Sequence, residues 1–214
     1  MATPIWKEFK RIIWDWNGTL LDDKNVCVEI MNDCLGRRNL PLLTLGRYLD
    51  IFEFPVVNYY RKLGFDLHTE SFEKVGMEFI DSYQKKMVKC ALHADVHSFL
   101  RKVKDQSIPQ YILSALNETN LKKVLDHFRL KDFFEEFRGL PDHFASGKIE
   151  LGKELLANWD SKKEKTVLIG DTVHDFETAK SLGIDCILVA CGHNSFERLS
   201  RCGTPVFRSL SDFL

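Results

Sequence analysis

The sequence has 214 residues, of which 44% are hydrophobic, and its 30 lysines and arginines against 31 aspartates and glutamates give a formal net charge of −1. This composition excludes an intrinsically disordered chain, which needs few apolar residues and a large net charge. It also argues against a nucleic-acid partner, because a nearly neutral protein has no field that would hold a polyanion. A chain of this length buries enough surface to fold without disulfides or a structural metal, so we expect one large domain, or a core with a small accessory domain.

The first ten residues mix charged and apolar side chains and do not resemble a signal peptide. No stretch approaches the roughly 20 apolar residues of a membrane span. The six cysteines form neither a C-x-x-C pair nor a zinc-finger pattern, which favours free thiols. We therefore expect a cytoplasmic protein without a membrane partner, either a monomer or a homodimer.

Short apolar runs rich in β-branched and aromatic residues predict strands that are buried on both faces. They are Arg11–Asp15, Gln110–Ser114, Thr166–Asp171, Cys186–Ala190 and Pro205–Phe207. Helical spacing of apolar residues follows Asn117, a predicted N-cap, continues over Leu151–Trp159, and ends before Gly183. Strands that alternate with helices predict an α/β fold with a Rossmann-like parallel sheet.

The segment from Asp22 to Cys90 breaks this alternation. Its apolar residues predict a helix over residues 26–35, a second one with Pro55 at its first position that ends near Gly64, and a long third one over residues 72–87. No clear strand interrupts it. We therefore predict an α/β core of residues 1–21 and 91–214, and a small all-helical cap of residues 22–90 inserted after the first strand.

Polar side chains end three of the predicted strands, namely Asp15, Ser114 and Asp171. Ligands of open parallel sheets bind at the carboxyl ends of the strands. Asp175 follows Asp171 by about one helical turn, so both carboxylates can lie on one face. Converging carboxylates require a cation, and oxygen ligands favour Mg²⁺. Taken singly, each aspartate can also be an ordinary turn residue.

Four segments together resemble, in order, the motifs of the haloacid dehalogenase superfamily in its phosphoglycolate-phosphatase-like branch. They are Asp15–Leu20 (Asp-Trp-Asn-Gly-Thr-Leu), Ser114, Lys148 and Gly170–Asp175. The resemblance covers nearly the whole chain, including a helical cap after the first motif. It implies a Mg²⁺-dependent phosphatase whose substrate is a small phosphorylated metabolite, either phosphoglycolate-like or a sugar or nucleotide monophosphate.

The resemblance also implies a role for each matching residue. Asp15 is the expected nucleophile, which forms an aspartyl phosphate. The expected ligands of Mg²⁺ are the carboxylates of Asp15 and Asp171 and the backbone carbonyl of Asn17, with Asp175 anchoring the metal's water shell or Lys148. Phosphate binding and charge compensation are expected from Asp15, Gly18, Ser114, Ala115 and Lys148.

The sequence departs from the family pattern at Asn17, where phosphatases of this family carry a second aspartate that acts as general acid and base. An amide only forms hydrogen bonds and does not exchange protons near neutral pH. General acid–base help is worth about 10²–10⁴-fold in rate. Three explanations remain open: a leaving group that needs no proton, another acid such as His174, His193 or a cap residue, or feeble catalysis in a protein that chiefly binds phosphate.

A second enzyme class also lacks aspartate at this position. Phosphonoacetaldehyde hydrolases resemble this branch and cleave a carbon–phosphorus bond with a Schiff-base lysine in the cap, for which Lys62 is the nearest candidate. Six cap residues are suited to contact a substrate: Arg37, Arg38, Arg47, Tyr59, Tyr60 and Arg61. Each one alone is also typical of an exposed helix face.

Overall fold

The computed structural model describes residues 4–141, 147–157, 159 and 165–213. Its strands are β1 (Arg11–Trp14), β2 (Leu21–Asp22), β3 (Ala91–Leu92), β4 (Gln110–Asn117), β5 (Glu136–Leu140), β6 (Thr166–Gly170), β7 (Asp185–Val189) and β8 (Val206–Phe207). Six of them form a parallel sheet in the order β5-β4-β1-β6-β7-β8, and β2 pairs with β3 in an antiparallel ribbon. The predicted α/β fold with a parallel sheet is confirmed.

Strand β1 lies in the middle of the sheet, between β4 and β6. Its residues Ile12, Ile13 and Trp14 are completely buried. Alternate side chains pack on opposite faces, because Ile12 and Trp14 join one hydrophobic cluster and Ile13 joins another. Parallel pairing brings the carboxyl ends of β1, β4 and β6 to the same edge of the sheet, and Asp15 is the first residue after β1.

Capping residues mark the ends of several helices. In the described ranges the helices are α1 (Lys24–Gly36), α2 (Leu45–Ile51), α3 (Val56–Leu63), α4 (Phe72–Lys86), α5 (Val96–Asp105), α6 (Glu118–His127), α7 (Lys148–Ala157), α8 (Val173–Leu182) and α9 (Phe196–Leu199). The Asn117 side chain accepts hydrogen bonds from the backbone of Thr119 and Asn120, which confirms it as the N-cap of α6. Gly183 ends α8 with a φ of +69°.

Helices α1 to α4 form the cap that follows the first strand of the sheet. Helices α1 and α4 were predicted near their observed bounds, and α3 ends at Gly64, where φ is +91°. Pro55 is the N-cap of α3 rather than its first residue. Helix α2 was not predicted; its N-cap is Thr44, whose side chain accepts a hydrogen bond from the Arg47 backbone.

Strand β5 was also missed, because its sequence Glu-Phe-Arg-Gly-Leu lacks the continuous apolar run of a central strand. It lies at the edge of the sheet, and its first three residues are only partly buried. All six cysteines are free thiols, as predicted. In the described part of the chain, no helix combines the length and the hydropathy that crossing a membrane requires.

Gly139 of β5 provides a test of this packing. A Cβ atom there would lie 2.6 Å from the Leu116 carbonyl oxygen and 2.7 Å from the Glu118 Cα, both of which are backbone atoms that cannot move aside cheaply. We expect Gly139→Ala to lower the free energy of unfolding in urea by about 1–3 kcal/mol. The matched control is Gly36→Ala at the exposed end of α1, where no atom lies within 4 Å; it should be neutral or stabilising by up to about 1 kcal/mol. Equal effects of the two substitutions would contradict the described approach of β5 to Leu116 and Glu118.

Candidate active site

Three buried aspartates converge at the carboxyl edge of the sheet. Asp15 follows β1, Asp171 follows β6, and Asp175 lies in the first turn of α8. One carboxylate oxygen from each lies within 4.8 Å of the others. The predicted convergence of these three side chains is therefore present in the structure.

Lys148, the first residue of α7, lies among these carboxylates and is 2% exposed. Its Nζ donates to Asp15 Oδ1 at 2.5 Å and to Asp175 Oδ1 at 2.6 Å. Burial alone would lower the pKa of Lys148, but the two carboxylates outweigh burial and raise it, so the side chain is an ammonium group. The site therefore holds one fixed positive charge against three carboxyl groups.

The two carboxyl oxygens of Asp175 are both engaged by protein groups. Oδ1 accepts from Lys148, and Oδ2 accepts from the Thr172 hydroxyl at 2.6 Å and from the Thr172 backbone at 3.0 Å. Burial alone would raise the pKa of Asp175, but Lys148 and Thr172 hold it below its ordinary value. Asp175 is thus an ionised group that fixes Lys148 and the start of α8, in a capping box.

The carboxyl groups of Asp15 and Asp171 are less fully stabilised in their ionised form than that of Asp175. Burial raises the pKa of Asp15 to about 8 against the attraction of Lys148, and the neighbouring carboxylates add to the rise. Burial also raises the pKa of Asp171 to about 6. The hydroxyl of Thr19, which sequence reasoning did not single out, joins the two groups at 3.3 Å from Asp15 Oδ2 and 2.9 Å from Asp171 Oδ1. Two oxygen-donor groups short of positive charge suit a hard divalent cation such as Mg²⁺.

Two glycines allow the chain to pass close to Asp171. Gly18 has a φ of +77°, and a Cβ atom on it would lie 2.3 Å from Asp171 Oδ2. A Cβ atom on Gly192 would lie 2.1 Å from the same oxygen. Any side chain at either position would displace the Asp171 carboxylate, so glycine is required at both.

The Asn17 side chain is held by a buried polar network. Its Nδ2 donates to Asp23 Oδ2 at 2.8 Å and to the Tyr83 hydroxyl at 2.5 Å, while Tyr83 donates to the same Asp23 oxygen at 2.6 Å. Asp23 Oδ1 accepts from the Gly18 backbone at 3.0 Å. The amide is therefore fixed in one orientation as a donor.

His193 lies buried in the same network and not on the surface. Its Nε2 is 3.3 Å from Asp23 Oδ1, and its Nδ1 is 2.8 Å from the hydroxyl of Tyr48 in α2. Burial alone would lower the pKa of His193, but Asp23 outweighs burial and raises it to about 9. The backbone N–H of His193 donates to Asp171 Oδ2 at 2.5 Å, so this residue joins the cap to the carboxylate cluster.

Neighbouring residues of the same loop also bind α2 and the residue after it. The backbone N–H of Ser195 donates to the Leu49 carbonyl at 3.2 Å, and Asn194 Nδ2 donates to the Phe52 carbonyl at 3.0 Å. Arg198 donates to the Phe52 carbonyl as well, at 2.5 Å. The cap is therefore closed over the core along this loop.

The other residues predicted for the site, Ser114, Ala115 and His174, differ in whether they line the cavity between core and cap. Ser114 is fully buried within β4, and its hydroxyl accepts from the Leu116 backbone at 3.0 Å; Ala115 lines the cavity between core and cap, but Ser114 does not. His174 also lines this cavity and stacks on Phe54 with ring centroids 4.5 Å apart. Burial lowers the pKa of His174, so its ring is neutral at pH 7.

The cavity has a volume of about 200 Å³ and extends from Asp15 and Lys148 into the cap. Tyr59 and Tyr60 are among its lining residues, as the sequence suggested. The proposed cap arginines lie elsewhere. Arg38 forms ion pairs with Glu70 and Glu78, and Arg37 pairs with Glu78. Arg47 and Arg61 bind the Lys62 carbonyl and the Asn58 side chain, and Lys62 pairs with Glu53 at 2.5 Å.

The chain matches the family model of haloacid dehalogenase-like hydrolases over residues 12–189. It is 22% identical to the tyrosine-protein kinase PtkA of Mycobacterium tuberculosis over 197 residues, which cover 91% of this chain and 67% of that protein. It is also 22% identical to the phosphoglycolate phosphatase of Photorhabdus laumondii over 231 residues, covering 100% of this chain and 94% of that enzyme. The structure of a predicted phosphatase from Clostridium acetobutylicum superposes with a TM-score of 0.80 at 20% identity, covering 95% of each chain.

The family match spans Asp15, Lys148 and Asp171 as well as the inserted cap. The observed α/β fold agrees with it. This chain belongs to the haloacid dehalogenase-like hydrolase family.

Proposed function

We propose that this protein is a Mg²⁺-dependent phosphohydrolase that cleaves a small phosphate monoester through a phosphorylated Asp15. The observation that carries the proposal is the buried Asp15 carboxyl, which is 2.5 Å from the Lys148 ammonium and opens into the cavity under the cap. Two of the relatives named above are phosphatases by description. The family membership gives the reaction class, and the cavity gives a place for the rest of the substrate.

In the first step, an Asp15 carboxylate oxygen forms a bond to phosphorus while the bond from phosphorus to the ester oxygen breaks. The leaving alcohol departs with that electron pair. In the second step, a water oxygen forms a bond to phosphorus while the bond from phosphorus to the Asp15 oxygen breaks. This restores the carboxylate and releases inorganic phosphate, which keeps the protons of the water or passes one to solvent. Splitting one displacement into two steps with the reacting groups held in line is the gain from a weak nucleophile such as a carboxylate.

The surrounding residues would supply charge and orientation. Lys148 faces the developing negative charge on the transferred phosphoryl group, and Asp175 and Thr172 hold Lys148 in place. Mg²⁺ would be held by the carboxylates of Asp15 and Asp171 and the backbone carbonyl of Asn17. When bound, it supplies the positive charge that lets an anionic carboxylate approach an anionic phosphate. We assign the turn at Gly18 and the β4 residue Ala115 to the surroundings of the phosphate. Ser114 is buried outside the cavity lining, so the geometry gives no support to its predicted phosphate contact.

No described group next to Asp15 is a ready general acid. The Asn17 amide exchanges no proton, both ring nitrogens of His193 have partners in Asp23 and Tyr48, and His174 is neutral at pH 7. Of the three explanations for Asn17, these contacts favour a substrate whose leaving group needs no proton. They give no support to a Schiff-base mechanism at Lys62, which pairs with Glu53 and does not line the cavity.

The nucleophile is tested by Asp15→Asn, which keeps the side-chain volume but removes the charge. We expect kcat for phosphate esters to fall by a factor of about 10³ or more, because the amide cannot attack phosphorus. The matched control is Asp105→Asn at the exposed end of α5, which should keep full turnover. Full turnover by Asp15→Asn would disprove the aspartyl-phosphate mechanism.

The cation site is tested by stability. Folding raises the pKa of Asp15 to about 8 and of His193 to about 9, so the native state binds more protons than the unfolded state between pH 6 and pH 8. The free energy of unfolding of EDTA-treated protein should therefore fall over this range, by roughly 2 kcal/mol. Mg²⁺ should raise Tm more at pH 8 than at pH 6, because it competes with protons for the carboxylates. A Tm that is insensitive to Mg²⁺ at pH 8 would count against the cation site.

The role of Asn17 is tested by Asn17→Asp. The new carboxyl would lie next to Asp23, and like charges raise the pKa of such a group, which suits it to donate a proton. We expect kcat for esters of aliphatic alcohols to rise about 10-fold or more. The matched control, Asn39→Asp in the exposed turn after α1, should change nothing. An inactive wild type with an active Asn17→Asp variant would instead indicate a phosphate-binding protein.

A further inference from the structure

We propose that the substrate is an aryl phosphate, the phosphate monoester of a phenolic hydroxyl on a single aromatic ring. This inference rests on the proposed phosphohydrolase function and specifies the part of the substrate that enters the cap. It follows from the lining, the size and the charge of the cavity, and from the chemistry next to Asp15.

Aromatic side chains dominate the part of the cavity that the cap provides. Its lining includes Tyr48, Phe52, Tyr59, Tyr60, Phe79 and Tyr83. Phe52 and Tyr59 meet edge to face at 5.3 Å, and the rings of Phe79 and Tyr83 are parallel at 6.1 Å. Aromatic rings favour edge-to-face and offset-stacked neighbours, so these walls are suited to bind another flat ring.

The size of the cavity limits the substrate to about one ring. An apolar cavity of roughly 150 Å³ binds benzene, and sites for drug-sized ligands occupy roughly 300–1,000 Å³. The volume of about 200 Å³ between Asp15 and the cap therefore accommodates a phosphoryl group and a ring. The enclosed space does not hold a base and a ribose together, so a nucleoside monophosphate would have to extend out of the cavity into solvent.

The charges of the lining residues argue against a substrate that carries a second anionic group, such as a carboxylate, besides its phosphate. Among the described lining residues, Lys148 is the only lysine or arginine, and it is already bound to Asp15 and Asp175. The cationic His193 is paired with Asp23. The cap arginines do not line the cavity. A phosphoglycolate carboxylate would thus be buried without a free cationic partner among the described lining residues, which is costly.

The chemistry next to Asp15 points to a phenolic leaving group independently of the cavity. Asn17 is fixed by Asp23 and Tyr83 and has no proton to transfer. A phenolic hydroxyl has a pKa of about 10, against about 15.7 for water. A phenoxide therefore departs without protonation far more readily than the anion of an aliphatic alcohol.

Four esters separate ring recognition from leaving-group reactivity, with kcat/KM measured in saturating Mg²⁺. Benzyl and propyl phosphate both release primary alcohols, so their ratio reports the ring; we expect benzyl phosphate to be favoured about 10- to 100-fold through KM. Phenyl phosphate should exceed benzyl phosphate in kcat/KM, which reports the departure of the leaving group, whereas hydrolysis of the aspartyl phosphate is common to both esters. Phosphoglycolate should be the poorest substrate.

Phe79→Ala removes one aromatic wall from a half-buried position in α4. It should reduce the benzyl-to-propyl ratio about 10-fold. The matched control is Phe133→Ala, a half-buried ring outside the cavity, which should leave the ratio as in the wild type.

Each outcome of the panel has a distinct meaning. If phosphoglycolate or propyl phosphate equals or exceeds the ring esters in kcat/KM, the aryl assignment is overturned while the phosphohydrolase function stands. If no ester is hydrolysed by the wild type, the proposed function itself is overturned. If the ring esters have the highest kcat/KM and Phe79→Ala lowers the benzyl-to-propyl ratio, the aryl assignment is supported.

Discussion

The site depends on a balance between buried carboxyl groups and too little positive charge. Asp15, Asp171 and Asp175 are brought together by the parallel sheet, and among the described residues Lys148 is the cation that donates hydrogen bonds from its side chain to them, at Asp15 and Asp175. Burial of charge is costly unless it is paired, so the arrangement is stable only with protons or a cation on Asp15 and Asp171. Asp175 needs neither a proton nor a cation, because Thr172 and Lys148 donate hydrogen bonds to both of its oxygens. In the proposed function, this excess of negative charge would favour the binding of a cation and, through it, of phosphate.

A second buried network gives Asn17 its place. Asp23, Tyr83 and His193 come from α1's N-cap, α4 and the loop before α9, and together they fix the amide and close the cap. An aspartate at residue 17 would oppose Asp23, whereas an amide completes the network with two donated hydrogen bonds. Asn17 is therefore well matched to its own neighbours.

Features that depend on the spacing of apolar residues and on the residues at strand ends could be predicted from the sequence. The parallel sheet, the helical cap and the convergence of Asp15, Asp171 and Asp175 were predicted from apolar spacing and from polar residues at strand ends, whereas the position of Lys148 was expected only from the family resemblance. The roles of these residues remain predictions. Asp23, Tyr48, Tyr83 and His193 were not grouped in advance, since only the tertiary position of the cap brings such distant segments together. Short elements such as α2 and the edge strand β5 have too few apolar residues to give a clear period.

The central position of β1 also determines when the site can form during folding. The bond between Lys148 and Asp15 spans 133 residues, and the bond between Thr19 and Asp171 spans 152. Strand β1 must find β4 across the whole cap segment before the carboxyl edge of the sheet exists. Contacts between residues so far apart in sequence form slowly, because closing a long loop costs chain entropy before the contacts that stabilise it have formed. Regained catalytic activity would therefore mark the completed topology of the core, whereas regained helical content would mark only its local elements.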